Sequence, residues 1–274
     1  MTRVGFEKQK NGMVKEYLPA SEQMKSTHEQ RQMFLHLYNA YMDEGLRFSR
    51  QEMSQGGDLF ELFRSKIENM LFAPSLSPFE IPSSHTVHID TVTSRKITSF
   101  SCGAYGYRTV KPQADLSQIA KLISLVYKPD GWGLLCDLDD MFLHLVYERA
   151  KLVNRKNKVL LFEKSIVIQD HRDNVSSTLL IPTYKKIDKN RIYDDPIISN
   201  HMQTVVNTLK ETEIRQIYLV YPKHPEFKKY LTIKLLGEVP LKEDEYRVKV
   251  IPYSFSFCTR KQKKTTFKRR QKCQ

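Results

Sequence analysis

The sequence predicts an α/β protein, and three observations between Lys158 and Tyr221 lead to that prediction. Short apolar runs rich in β-branched residues, bounded by charged or turn-forming residues, are typical of buried strands. A helical segment follows them, and a last apolar run ends at Pro222. A strand, a helix and another apolar strand form a βαβ crossover, which implies a parallel pair of strands covered by a helix. In chain order these segments are Val159–Phe162, Ser165–Ile168, Thr178–Ile181, the polar loop Lys185–Pro196, the helix Ile197–Thr212 and Ile217–Tyr221.

The first part of the chain is predicted to be mainly helical. Residues 1–20 are polar and are expected to be irregular. Apolar residues at helical spacing predict a helix over Ser21–Leu46, with Gly45 as its stop, and a second helix over Asp58–Phe72 with Asp58 as the N-cap. Two helices joined by a turn are compatible with a helix-turn-helix reader of DNA or with a simple bundle fragment.

A proline-rich linker or extended edge is predicted over residues 73–84, followed by a β-hairpin. The two runs that predict the hairpin are His85–Val92 and Lys96–Val110, and the second is interrupted by two glycines. We therefore expect residues 1–112 to form a helical and hairpin region.

Residues 113–257 are predicted to form the α/β domain. A helix over Asp115–Tyr127 is followed by the loop KPDGWG and by a second helix, Asp137–Val153, whose first turn is rich in aspartate. The runs Val248–Ile251 and Ser254–Phe257, interrupted by Pro252, predict a final edge strand.

The charge of the chain is concentrated at its end, in a basic tail over residues 258–274. The net charge is +13, and the tail carries eight basic residues and no acidic residue. Such a segment attracts polyanions without reading their sequence, so nucleic acid, with DNA as the expected form, is the predicted partner. A solubilising tail or a protein-binding segment would have the same composition. The eight residues are Arg260, Lys261, Lys263, Lys264, Lys268, Arg269, Arg270 and Lys272.

The remaining composition favours a cytoplasmic protein. Its apolar runs are all shorter than the ~20 residues that a membrane span needs, and the first residues lack the apolar core of a signal peptide. The four cysteines are scattered without CxxC spacing, which argues against a zinc site or a disulfide framework.

Two short motifs resemble known catalytic signatures without completing them. LLCDLDDMF resembles the aspartate-nucleophile motif of haloacid dehalogenase phosphatases, but Met141 replaces its threonine, and the aspartates fit a helix start better. HRDNVSSTLLI resembles the protein-kinase catalytic loop, but Thr178 falls where the metal-binding asparagine belongs, and the flanking kinase motifs are missing.

A third resemblance covers about a third of the chain, from Asp137 to Pro222. LVYERAKLV with Glu148, then SIVI, LLIPTYKKI, NHMQTVV with Gln203, and IYLVYP follow one another in that order. This order resembles the McrC-like nuclease subunit of 5-methylcytosine-directed restriction systems, a branch of the PD-(D/E)xK nuclease superfamily. The resemblance implies a restriction-endonuclease-like mixed sheet flanked by helices. It also implies Mg²⁺-dependent DNA cleavage, and a motor or other protein partner for the N-terminal part.

The catalytic positions of that family are largely replaced in this sequence. Ser165 falls at the first acid, Ile181 or Pro182 at the second acid and Thr183 at the first lysine. Since an apolar side chain cannot bind Mg²⁺, a site in this register is inactive. A shifted register still implies a candidate catalytic set, of which the three acids are also candidate metal ligands: Glu148, Asp170, Asp173, Lys185 and Gln203.

The leading hypothesis is therefore a DNA-binding, nuclease-fold subunit of a restriction or defence system, with catalysis degenerate or supplied elsewhere. Mg²⁺ is expected only if the site is active. The alternative is a non-enzymatic DNA-binding protein, such as a replication initiator or regulator, that uses the N-terminal helices and the basic tail. An RNA-binding or purely structural protein also stays open.

Overall fold

The computed structural model describes residues 2–9, 11–24, 26–72, 115–128, 131–169, 177–188, 196–211, 214, 216–233 and 247–255. The predicted linker and hairpin (residues 73–110), Asp170, Asp173 and the basic tail lie outside the described residues. The domain boundaries drawn from the sequence stay a prediction.

Within the part of the chain that the structure describes there are two sheets, and the larger has six strands and is mixed. Its order is β5-β6-β7-β8-β10-β9, with β7, β8 and β10 parallel to one another and the other pairs antiparallel. The predicted α/β class, with a mixed and partly parallel sheet flanked by helices, is confirmed. The strands are β5 (Lys158–Leu161), β6 (Ile166–Gln169), β7 (Ser177–Pro182), β8 (Gln216–Pro222), β9 (Leu231–Ile233) and β10 (Arg247–Tyr253).

Helices cover both faces of this sheet. The α-helices of the described residues are α1 (Thr27–Tyr41), α2 (Arg50–Met53), α3 (Leu59–Leu71), α4 (Leu116–Val126), α5 (Leu138–Val153) and α6 (Pro196–Glu211). Successive residues of a strand point to opposite faces. Accordingly Leu180 and Val220 pack in the core that contains α5, whereas Leu179 and Leu219 pack in a second core beneath α6. α6 is thus the predicted crossover helix between the parallel strands β7 and β8.

The N-terminal residues form a second sheet, of order β2-β1-β4-β3, so the expectation that residues 1–20 are irregular is wrong. Its strands are β1 (Arg3–Lys8), β2 (Val14–Tyr17), β3 (Tyr127–Lys128) and β4 (Gly131–Asp137). The predicted loop KPDGWG is likewise mostly strand. β1 is a short strand in which Val4, Gly5 and Phe6 are buried, and it pairs antiparallel with β4. At Gly5 (φ +140°) an added Cβ would overlap the Leu134 carbonyl oxygen, so only glycine fits the close approach.

Aspartate side chains cap three of the described helices, and the predicted cap at Asp58 is confirmed. Asp58, Asp115 and Asp137 each accept a hydrogen bond from a backbone N–H of the first turn of the following helix. α1 is shorter than predicted because Ser26 forms its N-terminal capping box, and the chain is already extended at Met42, before Gly45.

The last strand, β10, was predicted at an edge but lies between β8 and β9. Pro252, which cannot donate a ladder hydrogen bond, is tolerated because the pairing with β9 covers only Val248–Val250. Among the described residues, no helix is long and apolar enough to cross a membrane.

Candidate functional site

A groove of about 680 Å³ runs between the C-terminal half of α5 and the six-stranded sheet. α5 contributes residues at helical spacing, and β6, β7, β8 and β10 contribute residues from the sheet face that they present to α5. The helix residues are Val146, Arg149, Ala150 and Val153. Groove-lining sheet residues include Thr178, Leu180, Gln216, Tyr218, Val220 and Tyr253.

The groove combines aromatic rings with uncharged hydrogen-bonding groups. Tyr218 and Tyr253 are both half-buried, so part of each side chain is accessible from solvent. The Arg149 guanidinium lies 5.9 Å from the centroid of the Tyr253 ring. Asn154 and Asn157 line the end of the groove where α5 finishes. This lining suits a planar, polar ligand better than a purely apolar one.

The rim of the groove is basic. Residues 149–162 contain five basic residues and no acidic residue. Arg149 is exposed on α5, while Arg155, Lys156 and Lys158 are exposed between the end of α5 and the start of β5. The residues described as lining the groove include no carboxylate. The electrostatic character of this part of the surface therefore favours an anion.

Glu148 and Gln203, two of the predicted site residues, lie on opposite faces of the large sheet. Glu148 is half-buried on α5, its Oε1 accepts a hydrogen bond from Lys151 Nζ at 3.2 Å, and it is not among the groove-lining residues. Gln203 is exposed on α6, where its Nε2 donates to Asn207 Oδ1 at 3.3 Å. The structure does not bring these two side chains together.

Lys185 is exposed in the segment that follows β7. This segment reaches the start of α5, because the Tyr184 N–H donates to Asp139 Oδ1 at 2.7 Å. Glu148 lies nine residues further along α5 than Asp139, which corresponds to ~13 Å of helix rise. Lys185 and Glu148 are thus associated with different ends of the helix.

The other two predicted metal ligands, Asp170 and Asp173, lie outside the described residues. The residue before them, Gln169, pairs with Ser177 at the start of β7, whereas Lys185 follows the end of that strand. Among the described residues, no group of three His, Cys, Asp or Glu side chains is placed to hold a metal ion.

In the direct alignment with McrC-like nucleases, Ile181 or Pro182 falls at the second acid and Thr183 at the first lysine, and all three residues are buried. Ile181 packs in the core beneath α6, and Pro182 is also buried. Thr183 is only 9% exposed, and its hydroxyl lies 3.3 Å from His201 Nε2. The other ring nitrogen of His201 lies 2.5 Å from the Tyr221 hydroxyl. These polar groups therefore tie α6 to the ends of β7 and β8.

The N-terminal turn of α5 holds a carboxylate whose pKa is shifted. Burial, followed by the nearby charge of Asp137, raises the pKa of Asp140. Burial lowers the pKa of His144 one turn further along the helix, and its ring packs edge-on against Tyr41 at 5.0 Å. This end of α5 packs against α1 and does not line the groove.

Sequence reasoning missed the groove residues Arg149, Asn154, Asn157 and Tyr218. A signal was present in NRKNK, residues 154–158, where three basic residues and two amides follow a predicted helix directly. Tyr218 gave no separate signal, because within IYLVY it is indistinguishable from a core residue.

The architecture defines a class of protein, those with a mixed α/β sheet whose parallel centre is crossed by a helix. No family model matches the sequence, and no curated protein matches it. The fold is similar to that of a chain in the refined half-complex from the tetradecameric assembly of Thermococcus gammatolerans McrB AAA+ hexamers with bound McrC. The TM-score is 0.60 at 13% sequence identity, and the match covers 92% of this chain and 77% of that chain. This similarity concerns the fold.

Proposed function

We propose that this protein is a DNA-binding, nuclease-fold subunit of a restriction or defence assembly and that it acts beside a motor protein. The observation that carries the proposal is the succession α5-β5-β6-β7-α6-β8 with β7 parallel to β8. The resemblance of Asp137–Pro222 to McrC-like nucleases implies a mixed sheet of this kind. The similarity to a chain of an McrB–McrC assembly supports the same placement.

The catalytic function of this subunit is degenerate in our proposal. Activity would require Mg²⁺ held by Glu148 together with Asp170 and Asp173, with Lys185 and Gln203 assisting. The described members of this set do not fit a metal centre, because Glu148 is paired with Lys151 and Gln203 lies across the sheet. The main role of the subunit would then be to hold DNA for a partner that supplies the cleavage or the movement.

A non-enzymatic DNA-binding protein is the second candidate, and the basic groove rim without lining carboxylates favours it. Residues 149–162 and the basic tail both supply positive charge without an acid. Such a protein would bind DNA with the same dependence on salt but would need neither a metal nor a motor.

Incubation of the full chain with supercoiled plasmid, with and without Mg²⁺ or Mn²⁺, separates these functions. The proposal predicts binding in a gel-shift assay without cutting. Cutting that requires metal and is lost in Glu148→Ala, but not in the exposed helix control Glu61→Ala, would overturn the degenerate assignment and show an active nuclease. The absence of plasmid binding at low salt would contradict DNA contact altogether.

The motor partner requires a separate test. Purified McrB AAA+ hexamers from T. gammatolerans serve as the probe and are mixed with this chain in the presence of nucleotide. Mass photometry should show a species heavier than the hexamer. If the mixture shows only the separate components while the plasmid is bound, the second candidate is favoured over the assembly subunit.

A further inference from the structure

The groove beside α5 has a floor suited to a flat ligand. Tyr218 projects from β8 on the groove side of the sheet and is half-buried, with Gln216 two residues before it on the same face. Aromatic side chains in this setting stack nucleobases of any sequence, because each base has a π-face. The amides of Gln216 and Asn157 provide donors and acceptors at the edge of the same space.

The rim of the groove is suited to a backbone of phosphates. Arg149 lies in the groove wall, and Arg155 and Lys156 are exposed where α5 ends. A volume of about 680 Å³ falls within the range of small-ligand sites. Since none of the described lining residues is a carboxylate, a phosphate entering here meets no lining acid.

We propose that this groove binds an unpaired nucleotide of a DNA strand. The base stacks on the Tyr218 ring, and the flanking phosphates contact Arg149, Arg155 and Lys156. This inference rests on the proposed function, which is DNA binding. It adds where the DNA binds, in the groove, and that the bound nucleotide is unpaired. The position of the bound base distinguishes this contact from one that the basic tail would make alone.

Photocrosslinking locates the bound base directly. The probe is a single-stranded 20-nucleotide DNA in which 5-iodouracil replaces thymine, and the protein is the full chain. After irradiation and proteolysis, mass spectrometry should place the crosslink on the peptide that contains Tyr218 or on the one that contains Tyr253. Crosslinks confined to residues 258–274 would overturn the groove assignment while leaving DNA binding intact. The absence of any binding of this probe or of plasmid would instead contradict the proposed function.

Substitutions at Tyr218 test the stacking. Tyr218→Ala should weaken binding of the same oligonucleotide by about 5- to 100-fold, whereas Tyr218→Phe, which keeps the ring, should bind within about twofold of wild type. Thermal unfolding verifies that each variant is folded. Equal affinity of the folded Ala and Phe variants would refute the stacking. If Tyr218→Ala does not fold, the crosslink position and the Phe variant still decide.

Charge substitutions test the phosphate contacts. Arg155→Gln/Lys156→Gln removes two charges at the groove rim, and Lys228→Gln/Lys229→Gln removes two exposed charges elsewhere. The first pair should reduce the affinity for the oligonucleotide at least tenfold more than the second. Equal losses would show that only net charge matters and would contradict a specific path across the groove.

Discussion

Replacement of Asp139 by alanine should detach the segment after β7 from the start of α5. Asp139 lies in the first turn of α5, and its Oδ1 accepts the Tyr184 N–H at 2.7 Å in a half-buried setting. The Tyr184 ring packs edge-on against Phe142 at 5.5 Å, and its hydroxyl donates to the Ala20 carbonyl at 2.8 Å. One carboxylate thus anchors a residue that joins the large sheet to the N-terminal part of the chain.

The cost of Asp139→Ala follows from these contacts. Loss of a hydrogen bond to a charged acceptor costs roughly 1.5–3 kcal/mol. Loss of a negative charge at a helix N-terminus costs a further ~0.3–1 kcal/mol. We therefore expect the free energy of unfolding to fall by about 2–4 kcal/mol. Asp139→Asn keeps an acceptor oxygen and should cost about 1 kcal/mol.

Urea unfolding followed by circular dichroism measures the effect, and Asp140→Ala is the matched control. Asp140 is mostly exposed, and its partial desolvation together with the charge of Asp137 raises its pKa, so the folded protein disfavours its ionised form. Its removal should change the free energy of unfolding by less than about 0.5 kcal/mol. If Asp139→Ala costs no more than Asp140→Ala, the anchoring role of Asp139 is refuted.

Three further changes test the packing and the titration of the fold. Lys66 is 5% exposed and pairs with Glu52 at 3.2 Å, so Lys66→Met, which removes the ammonium that faces Glu52, should lower the free energy of unfolding in urea by about 2–4 kcal/mol. If the loss in Glu52→Gln/Lys66→Met equals the sum of the losses in the two single variants, the pair is not coupled. Burial lowers the pKa of His36, so its contribution to stability is fully present above about pH 6.5 and is lost as the pH falls through the lowered pKa. Urea titrations at pH 7.5 and 5.5 should show a smaller acid loss in His36→Gln, and an unchanged loss would exclude this residue as its source. Gly5→Ala places a Cβ against the Leu134 carbonyl in a positive-φ conformation, and an unfolding cost below about 1 kcal/mol would contradict the tight pairing of β1 with β4.

The crossover could be predicted from the sequence because its signals are local. Leu179 and Leu180 are both buried, on opposite faces of the same strand, which makes β7 a continuous apolar run. Asp137 precedes α5 as a side-chain cap, and a cap is visible in a few consecutive residues.

The N-terminal sheet could not be predicted because its pairing is not local. Phe6 of β1 pairs with Leu134 of β4, a partner far along the chain. β1 taken alone is a short stretch with charged residues at both ends, and its three buried residues, Val4, Gly5 and Phe6, are consecutive and so lack the alternation of a half-buried strand. The position of β10 inside the sheet could not be predicted for the same reason, because its parallel pairing with β8 is also a non-local contact.

Of the residues that the sequence suggested for a nuclease site, those that the structure describes are not among the residues that line the groove. Glu148 and Lys185 have the chemistry of a nuclease site, yet one belongs to the later turns of α5 and the other to a segment docked at its first turn. The groove is formed by α5 and four strands. Arg149 and Tyr218 are far apart in the sequence and line the same groove only because the chain folds in this way.

The most direct test of the account is a fluorescence-anisotropy titration of the full chain with a 30-base-pair DNA duplex at 50 and 200 mM salt. If the eight tail charges contact phosphates, the affinity should fall by about 10⁴-fold between these concentrations. Replacement of Lys261, Lys263, Lys264 and Lys268 by glutamine should roughly halve the slope of log affinity against log salt. The absence of binding at 50 mM salt would contradict the proposal that this protein holds DNA.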